Sequence, residues 1–233
     1  MEHLKESMLN LIQVLDKYPP PELSSTLESY GFRRIPIKRG KLRYSAEPMD
    51  IHVDKRLHIS PELDFFYRHC EIICDTCDVE DVPDFMSNPG SVGIMVGEFL
   101  ALSHPEKELA EIQWSGYYPS WNPCWLVVAL NMSSDAVIVD TGKEKSPVMV
   151  ASHDNGVPYL VANSFAEFLD YLSILIELEH GKYNGNKRDK ETYDYVDGFL
   201  DDVREGLSRA NCNSMQVENF INYIYGEYEF IGI

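Results

Sequence analysis

The sequence predicts an α+β fold: an antiparallel β-sheet meander covered by helices, with additional helices at the N- and C-terminal ends. Three observations predict it. Residues 125–162 hold four short apolar or β-branched runs separated by turn chemistry. A helix with a capping box follows at once, Ser164 at the N-cap and Glu167 three residues on. Both ends of the chain carry apolar residues at helical spacing.

Taken in order, residues 2–17 form an amphipathic helix with Leu4, Met8, Leu11, Ile12 and Leu15 on one face. Pro19-Pro20-Pro21 ends it and opens a second helix bearing Leu23, Leu27 and Tyr30, with Gly31 at its C-terminal turn. Residues 32–44 read as a hairpin around Arg39-Gly40. Arg33, Arg34, Lys38, Arg39, Lys41 and Arg43 protect its edge by charge, or form a basic binding patch. Ser60 caps the next helix, Pro61 fits its first turn, and Glu62 and Asp64 complement its dipole. Residues 75–88 are polar and acidic, 91–102 read as a strand and 105–113 as a short helix. Residues 114–121 form an aromatic loop.

The meander comes next. Strands at 125–130, 136–140, 147–151 and 157–162 alternate with turns at 131–135, 141–146 and 153–156. Pro158 argues for a strand start or an edge. In the following helix Phe165, Phe168, Leu169, Leu172, Leu175 and Ile176 make the apolar face, with Gly181 just past its end. Residues 182–188 have linker composition. Residues 192–209 read as a helix with Val196, Phe199, Leu200, Val203 and Leu207 inward, and with Asp194, Asp197, Asp201 and Glu205 as an acidic stripe. Residues 214–228 make a last helix with Val217, Phe220, Ile221, Ile224 and Tyr225 inward. The expected division is a domain over 1–181, including the N-terminal helices, with 182–233 as a helical extension packed on it.

Composition bounds the function. The net charge is −18 over 233 residues, which argues against nucleic acid as the main partner, because phosphate contacts need Lys and Arg. It suits a basic partner, or simply solubility. The chain start lacks a basic region followed by an apolar one, and no apolar run approaches the ~20 residues that cross a bilayer. The expected location is the cytoplasm, without a membrane partner, and five cysteines fit free thiols there.

Two segments together carry a family resemblance. Residues 59–67, Ile-Ser-Pro-Glu-Leu-Asp-Phe-Phe-Tyr, put a Pro-Glu pair at the start of a helix ending in an aromatic face. Residues 125–172 supply an apolar strand, a turn with Asp, two more strands and a helix reading Ser-Phe-Ala-Glu-Phe-Leu. In order and spacing, residues 55–178 resemble the SUKH superfamily of Smi- and Knr-like immunity proteins. In place of the Gly-Gly or Asn-Gly pair usual there stands Arg68-His-Cys-Glu-Ile-Ile-Cys-Asp-Thr-Cys77. The resemblance implies a protein-binding scaffold rather than an enzyme. Its bacterial members are mostly immunity proteins against delivered toxins, often nucleases, and others are regulatory scaffolds for endogenous partners.

Candidate partner-binding residues follow from chemistry. Trp114, Tyr117, Tyr118 and Trp121 are of the types enriched at interface hot spots, or else fold back onto the core. Asp194, Asp197 and Asp201, with Asp154 at the turn after the third strand, are set to meet a basic toxin domain, or else are a solvated face. Cys70, Cys74 and Cys77 beside His69 have metal-like spacing, against which stands the plain reading of buried free thiols. Cys124 before a buried strand reads as core. No phosphate loop, G-x-S-x-G or H-E-x-x-H occurs, and neither catalysis nor a cofactor is expected.

Overall fold

The computed structural model describes residues 1–18, 41–51, 53, 57–73, 121–130, 135–152, 156–189, 191–192, 194–211 and 213–226. Among them are α1 (Glu2–Lys17), β1 (Lys41–Tyr44), α2 (Pro61–His69), β2 (Cys70–Ile73), β3 (Trp125–Leu130), β4 (Ala136–Asp140), β5 (Val148–Ala151), β6 (Tyr159–Ala162), α3 (Phe165–Ile176), a π-helical turn (Glu177–Lys182), α4 (Phe199–Ala210) and α5 (Ser214–Tyr225). The fold is α+β. The expected helix at 19–30, the first arm of the basic hairpin, the elements read between 75 and 120, and the turn at 153–155 lie outside the described residues.

The meander is antiparallel in the order β3-β4-β5-β6. Over β3 and β4 both faces are buried, which explains why these strands are continuous apolar runs rather than alternating ones. Leu126, Val139, Val148 and Val161 belong to the main core, while Val127, Ala136, Ile138 and Ala151 form a second cluster with Trp121, Trp125 and Met149. An irregularity between Val127 and Ala129 shifts the β3–β4 register by one residue, as a bulge does.

The main core centres on α3, of which Phe165, Phe168, Leu169, Leu172, Leu175 and Ile176 are all buried. Phe168 lies 6.2 Å from Phe165 and 5.8 Å from Phe220 of α5 between ring centroids. Leu4, Met8, Leu11 and Val14 of α1 enter the same cluster, so the two ends of the chain meet on one helix. On α5, Asn219 donates to the carbonyl of Leu160 at 3.3 Å, which lays that helix along the last strand of the sheet.

The caps follow the sequence. The Ser60 side chain accepts from the Leu63 amide, and the Ser164 side chain from the Glu167 amide at 3.1 Å. Glu167 reaches back to the amide of Asn163 at 2.8 Å, one residue before the cap. Ser164→Ala is expected to cost about 1 kcal/mol, the usual loss at an N-cap. Urea titration of the variant checks it, and an unchanged midpoint would mean that Glu62, which accepts from the Phe165 amide at 3.3 Å, already holds the helix start.

Lys41–Tyr44 pairs with Cys70–Ile73, Tyr44 opposite Cys70, a long-range strand pair that no local turn chemistry signals. Two readings need correction. Gly181 does not end α3, because the helix continues into the π-helical turn. A Cβ at Gly181 would sit 2.6 Å from the Tyr18 hydroxyl, so close approach is what the glycine serves, and the reversal comes later at Asn184 and Gly185, both at positive φ. The helix expected from 192 begins only at Phe199, behind Gly198 at φ 80°. The carboxylate of Asp189 accepts from the amides of Glu191 and Thr192, and Arg188 bridges to Tyr195, so the preceding residues follow a small hairpin instead.

Candidate functional site

An open groove of about 750 Å³ runs between α1, α3, the π-helical turn and α4. Its apolar lining comes from Val14, Ile174, Leu178, Gly206 and Ala210. Helix α4 approaches α3 closely there: a Cβ at Gly206 would come within 2.9 Å of the Ile174 Cγ2. Asp170, Glu177, Asp202 and Glu205 also line it, with Lys182 and Arg209.

Each of these carboxylates is held by a side chain of the same molecule. Asp170 lies 3.0 Å from the His3 ring. Glu177 accepts from Lys17 at 2.8 Å and from the Tyr18 hydroxyl at 2.8 Å. Asp202 accepts from Lys182 and Tyr183, and Glu205 from Arg209. The hydrogen bond from Lys17 holds the Glu177 carboxyl below its usual range, and that from Lys182 does the same for Asp202. These two carboxylates therefore stay ionised further into acid than an ordinary carboxylate does. The cationic partners of all four are exposed, and exposed ion pairs of this kind are weak, so an incoming cation exchanges with them at small cost. The groove thus offers an apolar floor and four carboxylates whose partners are exchangeable.

The residues singled out from sequence fall in different places. Asp194, Asp197 and Asp201 are exposed, but they do not form one helical stripe. Asp194 and Asp197 precede Gly198, and Asp201 stands in the first turn of α4, paired with Arg204 at 2.9 Å. Trp121 is half-buried on the outer face of the sheet, edge-on to Trp125 at 5.5 Å. Trp114, Tyr117, Tyr118 and Asp154 lie outside the described residues. The groove acids of α3 and the turn were missed, although Asp170, Ser173, Ile174 and Glu177 follow the i, i+3, i+4, i+7 rule for one helix face.

Cys70 is a buried free thiol, and burial pushes it up to about 12, the reverse of what a thiolate nucleophile needs. The His69 ring is taken up by the Ser45 carbonyl at 2.9 Å and by the Phe65 ring at 4.4 Å. Cys74 and Cys77 lie outside the described residues, among which no group of three His, Cys, Asp or Glu could hold a metal. Cys124 is half-buried. Its carbonyl accepts from the Thr141 hydroxyl at 2.7 Å, and His58 meets that hydroxyl at 3.0 Å. Among the described residues no helix is long and apolar enough to cross a membrane.

Compared with known proteins, the chain matches no family model, no curated protein and no solved structure.

Proposed function

We propose that this chain is an immunity-type binding protein of SUKH-like kind, acting in the cytoplasm, that neutralises a basic toxin domain by protein–protein contact. The observation that carries the reading is the groove between α1, α3 and α4, with an apolar floor and four exchangeable carboxylates. A basic amphipathic segment of a partner matches both features. The net charge of −18 and the exposed Asp194, Asp197 and Asp201 beside α4 add a field that attracts such a partner from a distance. The resemblance over residues 55–178 supports the same class of function.

Co-expression with the toxin encoded beside this gene tests the proposal. Protection of the cells together with a co-purifying complex is the expected result. Full toxicity and no complex would sink it. In the complex, the triple replacement of Asp194, Asp197 and Asp201 by Asn should slow association and flatten its dependence on salt, while dissociation changes little. Replacing Leu178 on the groove floor by Asp should instead speed dissociation. Surface binding at two salt concentrations separates the two effects, and unchanged kinetics in both variants would place the interface elsewhere.

A further inference from the structure

On α3 the core register 172, 175, 176 runs on to 179, and that position holds a glutamate. Glu179 sits in the π-helical turn and is 2% exposed. Its Oε1 accepts from the Tyr225 hydroxyl at 2.7 Å and from Lys187 Nζ at 2.8 Å. The same ammonium lies 5.4 Å from the centre of the Tyr225 ring. Phe199 and Tyr195 pack on Tyr225 at 5.3 and 5.7 Å, so the carboxylate lies against an aromatic wall. A buried carboxylate beside a ring face is the arrangement that recognises an alkylammonium group.

The group that fills it comes from a strap. Residues 186–189 and 194–197 are the arms of a small hairpin in which Val196 donates to the Lys187 carbonyl at 3.0 Å and Arg188 bridges to Tyr195. Left-handed backbone flanks it on both sides, at Asn184 and Gly185 before and at Gly198 after. The strap is fastened at two points, Lys187 on Glu179 and the Tyr195 hydroxyl on the Tyr225 carbonyl at 2.9 Å. The Lys187 side chain is 24% exposed, so the site opens toward solvent along the path that this side chain takes.

We infer that Glu179 and Tyr225 form a binding site for a primary alkylammonium group, which Lys187 occupies from within the chain and which a primary amine from outside can fill in its place. This site lies apart from the groove and does not depend on the toxin reading, and its test needs only the chain itself.

Lys187→Ala empties the site by removing an arm that propylammonium replaces. At constant ionic strength, propylammonium chloride should raise the melting temperature of Lys187→Ala by several degrees and saturably. The wild-type chain, where Lys187 competes, should need at least tenfold more. The double variant Lys187→Ala, Glu179→Gln should show no saturable rise. If Lys187→Ala does not fold alone, recovery of its far-UV circular dichroism on adding propylammonium is the same readout. An end-capped peptide with a single lysine, used in a second arm, separates the sources. A rise with both ligands assigns the site to lysine side chains as well as free amines, and a rise with propylammonium alone assigns it to free amines. No saturable rise in Lys187→Ala, or an equal rise in the double variant, would overturn the inference.

Discussion

Phe168→Ala is expected to destabilise the chain by roughly 3–5 kcal/mol, the cost of emptying a phenyl-sized space in a packed core. The ring is fully buried, at the end of the first turn of the helix that α1, α4, α5 and the sheet all pack against. Its neighbour Phe165 belongs to the same helix and Phe220 to α5, and both rings are themselves fully buried, so the hole cannot collapse cheaply. Phe168→Leu, which keeps most of the volume, should cost far less. Chemical denaturation of both variants checks the pair. A mild effect from Phe168→Ala would show that α3 does not anchor the layers, and the account of the core given above would fail with it.

Lys187→Ala should give the second-largest effect, and one that depends on pH. Removing one partner of a buried pair costs up to about 3–5 kcal/mol. Here the ammonium is partly exposed and the carboxyl can escape by taking up a proton, so the expectation is the lower end, about 2–3 kcal/mol, at pH 8. Burial raises the Glu179 carboxyl above its ordinary value, and Lys187 and Tyr225 only partly offset this. A carboxyl raised on folding contributes stability that is fully present below its unfolded value and lost as pH rises through the folded one. Without Lys187 the carboxyl rises further and that loss deepens. The deficit of Lys187→Ala against wild type should therefore be smaller at pH 5 than at pH 8, and Glu179→Gln in the same background should remove the difference. Tyr225, Tyr195 and Arg188 also border this region, and burial moves the Tyr225 phenol upward, away from that range. An equal deficit at both pH values would mean that the carboxyl is not confined as described.

Much of the fold was legible because it rests on local chemistry. The α1 helix, the Ser60 and Ser164 caps and the strands Trp125–Leu130 and Ala136–Asp140 coincide with the sequence reading. Each is set by periodicity, β-branching or a cap within a few residues. What sequence did not show is set across long separations. The partner of β1 is 26 residues on at the nearest pair, Tyr44 with Cys70, and no local signal names it. Helix 192–209 was read too long, because its apolar spacing is real but the Asp189 turn and Gly198 at positive φ win locally. The groove was invisible for the same reason: Lys17 and Glu177 are 160 residues apart and meet only when α1 lies on α3. Glu179 was readable in principle, as a carboxylate at a core position of the helical repeat, but an acidic chain hides one more acid among many.

The contact between Asn219 and Leu160 bears on how the molecule behaves in a crowded solution. A terminal strand with unsatisfied peptide groups is a template on which another copy can add a strand, and growth of that kind ends in fibres. Leu160 itself is partly exposed and apolar, and alone it would favour such growth. A side-chain amide is spent on the Leu160 carbonyl and α5 lies alongside β6, so this end of the described meander is expected to resist self-templating, and a concentrated stock to stay free of fibres grown through β6.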